Sequence, residues 1–222
     1  MNLLTRFLQT ACLGFLGIAL ISGCYDPTAD SVDAQAAAAK AEQDVIVENT
    51  DVVVSLTGDN CDIKWTGSNS VGMTPYGYFY ELTGKLLLDG ESKALKHFEV
   101  DIEMDGVKAM NETLTNKLKT KGFFQVDEYP QSKFVATSIS DQAREQDPEG
   151  TTHVIEGNFQ LRDVTKSITF PVKIDVAKNT VTLSSEFKIN RKDFGVVYSV
   201  AAEDALIRDD VLINLDIEAV LE

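Results

Sequence analysis

F-E-V-D-I-E-M-D, Phe98 to Asp105, decides the fold class. Phe98, Val100, Ile102 and Met104 take every second position, and Glu99, Asp101, Glu103 and Asp105 take the positions between. A helix would scatter the two sets around its axis, whereas a strand sends them to opposite faces, one against a core and one into water. The same period recurs downstream: Ile168, Phe170, Val172 and Ile174 share a face, as do Val181, Leu183, Phe187 and Ile189. So do Val211, Ile213, Leu215, Ile217 and Ala219. Asp89-Gly90, the polar loop Asp141 to Gly150, and Lys178-Asn179 punctuate the runs as turns. Thr57-Gly58-Asp59-Asn60 reads as a hairpin turn between Asp51–Leu56 and Cys61–Trp65, and Pro171 marks an edge or a bulge. About eight strands joined mostly by short turns predict an all-β antiparallel barrel or sandwich, with closure into an eight-stranded barrel hiding the strand edges.

One stretch breaks the alternation. It is K-L-K-T-K-G-F-F-Q-V-D-E-Y-P-Q-S-K-F, Lys117 to Phe134. Asn111 is placed to cap a helix, Leu114 and Leu118 lie one turn apart on one face, and Gly122 is placed to stop it. Phe123 and Phe124 then open a turn that Tyr129 and Pro130 close. A single short helix between central strands reads as a cap over an apolar space.

The chain begins differently. Arg6 precedes the apolar run Leu8 to Ile21, which is short for the roughly 20 residues of a membrane span and has the layout of an export signal. Ser22 and Gly23 before Cys24 resemble a bacterial lipobox. The expected organisation is a lipoprotein signal peptide at 1–23, then an acylated Cys24 with a flexible tether to residue 48, and a barrel at 49–222. From Tyr25 to about Gln43 the tether is rich in alanine and small or acidic residues, and its alanine run has no apolar face to dock. Tyr25, rather than an aspartate, follows Cys24, so the expected location is the envelope, anchored in the outer membrane and facing the periplasm. With Cys12 lost with the signal and Cys24 acylated, Cys61 is left without a disulfide partner and reads as a buried small hydrophobe.

Composition and motifs exclude several functions. Asp and Glu total 35 against 20 Lys and Arg, the opposite of a nucleic-acid footprint. Asp101, Glu103, Asp105, Gly106 and Glu112 nearly match a calcium loop, but their alternation with apolar residues makes them the wet face of a strand. His97 and His153 have no ligand or base partners at useful spacing, so no metal site is expected. No nucleophile elbow or phosphate loop occurs. Neither catalytic residues nor a cofactor is expected.

Four patches carry a resemblance. I-K-W-T-G (63–67), the stretch from Leu118 to Phe134, G-N-F-Q-L-R-D-V-T-K-S-I-T-F-P-V (157–172) and F-K-I-N-R-K-D-F-G-V (187–196) follow in order. Together they resemble the YceI-like family of exported, lipocalin-like, lipid-binding proteins. Two departures stand out: no histidine precedes the aromatic run at Tyr76, and Asp163 replaces a usual glycine. The resemblance implies a barrel that carries a long apolar amphiphile, a polyisoprenoid or fatty-acyl chain, through its interior. Trp65, Phe79, Phe98, Phe134, Phe159, Phe170 and Phe187 become candidates for lining it, with Leu114, Leu118, Phe123 and Phe124 at the closing helix. Arg191 is a candidate contact for a polar head. The expected partners are a long-chain lipid and, through Cys24, the membrane, with a homodimer left open. The alternative is a structural or partner-binding lipoprotein whose barrel is filled by its own side chains.

Overall fold

Residues 26–42, 44–198 and 200–221 are described by a computed structural model. The signal segment, Cys24 and Tyr25 lie outside them. Strands β1 (Val32–Asp33) and β2 (Ala37–Ala38) precede β3 (Val52–Thr57), β4 (Cys61–Thr66), β5 (Tyr76–Phe79) and β6 (Leu82–Leu88). Then come β7 (Leu95–Glu103), β8 (Val107–Ala109), helix α1 (Glu112–Lys119) and β9 (Gln131–Ser140). Strands β10 (His153–Leu161), β11 (Val164–Ala177) and β12 (Thr180–Asn190), helix α2 (Ala201–Asp204) and β13 (Asp210–Val220) complete the chain.

The opening octet forms most of β7. Phe98, Val100 and Ile102 are buried, and Met104 is buried in a 3-10 turn that follows the strand. The ladders run in the order β3, β6, β7, β9, β10, β11, β12, β13, β4, β5 and β8, all antiparallel. The last strand thus returns to β4, and the sheet curls around its apolar face. The fold is all-β, a curled antiparallel sheet with little helix.

Thr57-Gly58-Asp59-Asn60, expected as a hairpin turn, does not reverse the chain. β3 pairs with β6 and β4 with β5, so the two strands continue one direction through a kink. Asn60 holds the kink: its Oδ1 accepts from Thr57 N–H at 2.9 Å and its Nδ2 donates to the Ser55 carbonyl at 3.0 Å. Pro171 lies on no edge. It sits where β11 leaves β10 after Val172 and joins β12 from Lys173.

That changeover opens a seam, because Ser185 to Asn190 of β12 have no ladder partner on β11, where only the Ser185 hydroxyl reaches across to the Pro171 carbonyl. The stretch expected as a free tether fills it. β1 pairs parallel with β12 at Phe187 and Lys188, and β2 pairs with β11 at Lys166 and Ser167. Ala34 is 2% exposed between them, and Asn158 of β10 exchanges bonds of 2.9 and 2.8 Å with the Lys40 backbone. Backbone pairing needs no large side chain, and Ala37 and Ala38 themselves stay exposed.

α1 begins as expected, with Asn111 Oδ1 accepting from Leu114 N–H at 2.9 Å. It ends before Gly122, at Thr120, whose hydroxyl donates to the Lys117 carbonyl at 2.7 Å. Cys61 is buried, and that burial pushes its thiol up to about 12, so it stays protonated in neutral solution.

Asp62 and Asp216 stand directly opposite each other on β4 and β13. Partial desolvation, reinforced by the Asp62 charge, raises the Asp216 pKa above the ordinary aspartate value. An acid harder to ionise in the fold than in the unfolded chain destabilises the fold as pH rises through its folded pKa. Asp216→Asn should therefore add no more than about 0.5 kcal/mol of stability at pH 7, seen as a higher Tm, and the gain should vanish below the ordinary aspartate range. Thermal unfolding at both pH values checks it.

Candidate ligand-binding interior

The inward faces of both halves of the sheet enclose a cavity of ≈ 80 Å³ with a wholly apolar lining. Phe79, Phe98, Phe134, Phe159, Phe170 and Phe187 line it, six of the residues expected from sequence. Ile63, Val100, Ile102, Ile168, Ile189, Ile213 and Leu215 complete the wall. These aliphatic residues were visible as inward faces but were not singled out, because their chemistry matches ordinary core.

Four of the rings form a row across the interior. Phe98 and Phe134 have centroids 5.5 Å apart, Phe134 and Phe170 5.4 Å, and Phe170 and Phe187 4.3 Å at an interplanar angle of 13°. Gly157 makes room for it. A Cβ there would lie 2.3 Å from the Phe134 ring, so only glycine fits beneath it.

The expected closing residues gather at one end. Leu118 and Phe123 are buried, and Leu114 and Phe124 pack on the core from the edge. The Phe124 ring is 6.1 Å from that of Phe79, which links the turn after α1 to the cavity wall. Phe123 instead stacks on Tyr198 at 5.0 Å. Trp65 is buried on the same strand face as Ile63 but is not part of the cavity wall.

Arg191 is not free to meet a ligand. It is 5% exposed, and all five of its N–H groups are engaged. They donate to the carbonyls of Arg208 (3.2 Å), Val196 (2.8 Å) and Ile207 (3.2 Å), and to the carboxylates of Asp204 (2.7 Å) and Asp209 (3.1 Å). Its work is to hold the connection from β12 to β13. Sequence proximity suggests Asp193 as its ion partner, yet the carboxylates that reach it are 13 and 18 residues away.

Arg162, not singled out from sequence, occupies a more open place. It adopts φ 58° in the two-residue turn from β10 to β11, beside Asp163. Its guanidinium donates to the Gly195 carbonyl at 2.7 Å and to the Phe123 carbonyl at 3.3 Å, tying the α1 turn to the segment after β12. Among the described residues, three buried side-chain polar atoms lack a hydrogen-bond partner: Trp65 Nε1, Ser68 Oγ and Arg162 Nε. All three belong to the α1 end, where β4 and β10 finish.

The acids of the calcium-like pattern are spread over the end of β7, the turn after it and the start of α1, and three of them are bound elsewhere. Asp101 meets Lys133 at 3.4 Å, Glu103 accepts from Gln131 at 2.8 Å, and Asp105 meets Lys119 at 2.8 Å. His97 is buried on the outer face with Glu99 at 3.1 Å. His153 is held below the ordinary histidine range by desolvation.

The YceI-like domain profile matches residues 32–219, most of the chain. The chain belongs to the YceI-like family. A UPF0312 protein of Photorhabdus laumondii is 26% identical over 93 residues, 42% of this chain and 45% of that protein. This YceI-like chain therefore matches less than half of that relative's length. Among solved structures, BcnA of Burkholderia cenocepacia superposes with a TM-score of 0.62 at 18% identity, covering 72% of this chain and 96% of that one. A polyisoprenoid binding domain from Saccharophagus degradans does so with a TM-score of 0.58 at 9% identity, covering 77% and 99%. At such identities these two likenesses establish the shared fold.

The Arg191 hydrogen bond holds the Asp204 carboxyl below the ordinary aspartate range, helped by the Tyr198 N–H. The stability this pair contributes is fully present above the ordinary aspartate pKa and is lost as pH falls through the lowered folded value. Arg191→Met leaves Asp204 buried without its partner and should cost about 3 kcal/mol in urea unfolding at pH 7. Arg191→Lys should recover only part, since an ammonium cannot reach five acceptors.

Proposed function

We propose that this protein is an envelope lipoprotein that binds a long apolar amphiphile, of polyisoprenoid or fatty-acyl type, inside an eight-stranded barrel. The β3–β4, β5–β6 and β7–β8 pairs each act as one interrupted strand, which with β9 to β13 gives eight. The observation that carries the reading is the cavity wall, thirteen apolar residues without a polar group. Family membership supports it, as does the polyisoprenoid-binding description of the Saccharophagus domain. Cys24 carries the lipid anchor, and the domain faces the periplasm from the outer membrane.

Size decides how the ligand is held. A cavity of about 150 Å³ accommodates benzene, so ≈ 80 Å³ is too little for a long chain without movement of the wall. The chain enters by displacing the Phe134, Phe170 and Phe187 rings from their row. Contact with the chain replaces contact among the rings, and each Å² of ligand surface taken from water contributes about 25 cal/mol. Trp65 Nε1 and Ser68 Oγ supply unpaired hydrogen-bonding atoms for the ligand's polar end, which this reading puts at the α1 end.

The stacked row favours a second reading, a barrel filled by its own side chains that serves as a structural or partner-binding lipoprotein. One experiment separates the two. Protein exported by its native route with Cys24→Ala should release a long-chain species on solvent extraction and show its added mass in native mass spectrometry. Val100→Trp, which fills the cavity, should stay folded and lose that species by about tenfold. Phe123→Ala with Phe124→Ala should release it faster. Empty protein that also refuses added prenyl lipid establishes the filled barrel instead.

A further inference from the structure

The α1 end of the sheet carries an apolar rim. Val71 and Met73 between β4 and β5, Met110 before α1, and Val197, Val200 and Leu206 between β12 and β13 are 44% to 68% exposed. Single exposed apolar residues are ordinary, but these lie on loops tied together. Ser70 N–H donates to the Leu206 carbonyl at 2.9 Å, Met110 N–H donates to the Tyr76 carbonyl at 2.9 Å, and Asn69 bridges to Ile207.

The place where the chain enters indicates what covers this rim. Asp26, the first described residue, bonds the Arg208 guanidinium at 2.5 Å, two residues beyond Leu206. Pro27 shares a surface cleft with Thr74, the neighbour of Met73. Cys24 lies two residues before Asp26, a reach of about 7 Å at full extension. We propose that the α1-end rim rests on a lipid bilayer, pressed there by a lipid anchor on Cys24, so that the barrel mouth opens onto the membrane. This rests on the lipoprotein reading and deepens the apolar-ligand reading.

The geometry replaces a long leash with a short one. Residues 26–42 are zipped to the barrel wall, so a lipid on Cys24 cannot lift the domain away while that pairing holds. Contact depends on apolar side chains and not on anionic lipid, since the chain carries a net charge of −15. A ligand leaving the bilayer then enters the mouth without crossing water, and its polar end stays beside Trp65 and Ser68.

The test supplies the anchor chemically. The chain from Cys24 onward is coupled through that thiol to a maleimide phospholipid in phosphatidylcholine vesicles. Cys61, buried and protonated, is left unmodified. An added indole is placed at the rim by Met73→Trp or, as a control, at the opposite end by Ile46→Trp, near the Glu48–Lys96 pair. On exchange of plain for brominated phosphatidylcholine, the added emission should fall about twofold at position 73 and not at 46. Equal quenching at both positions, none at 73, or more at 46 overturns the proposal. So does a rim already shielded by a second copy, seen as doubled mass before vesicles are added. The vesicles hold no isoprenoid, so an empty barrel leaves this result unaffected. The intact mass of natively exported protein separately reports whether cells acylate Cys24.

Discussion

The parallel contact between the Phe170 and Phe187 rings, 4.3 Å apart, holds the structure together where its wall is weakest. β11 and β12 share a ladder only from Lys173 to Ala177, and beyond it they separate. Ring stacking contributes about 0.5–1.5 kcal/mol beyond burial, modest beside a ladder of backbone bonds. Its importance is geometric. The stack lies beside the gap that β1 and β2 fill, and the strip closes it by backbone pairing, with Ala34 alone of its alanines buried.

The strands were legible because their burial is one-sided. Phe98 to Met104 cannot be read any other way, and the same holds for the last strand. The direction of the chain at a kink was not legible. Thr57 to Asn60 has the chemistry of a bend, but local residues do not say whether the bend reverses the strand; the partners β5 and β6, some twenty residues later, decide that. The alanine run was silent for another reason. What it contributes is backbone donors and acceptors, and these leave no trace in hydropathy.

The candidate site divides along the same line. Large aromatic residues in alternating strands point to an interior, and six of them line the cavity. Charged residues are harder, since their roles depend on partners distant in sequence. Arg191 looked available and is consumed by five acceptors. Arg162, which nothing in the sequence singles out, ties the α1 turn to the segment after β12. The interior is thus defined by residues whose faces are fixed by period, and the mouth by residues whose faces are fixed by the fold.

The strip at the seam has a consequence for the order in which the molecule assembles. Lys40 meets Asn158 across 118 residues, and β1 waits on Phe187 of β12. Asn158 is presented by the hairpin of β10 and β11, and Phe187 by that of β11 and β12. Contacts of such long range carry a large loop-closure cost and are late in folding. The first part of the described chain to be synthesised therefore waits for strands made more than a hundred residues later, and until they form the seam beside Phe170 and Phe187 stays open.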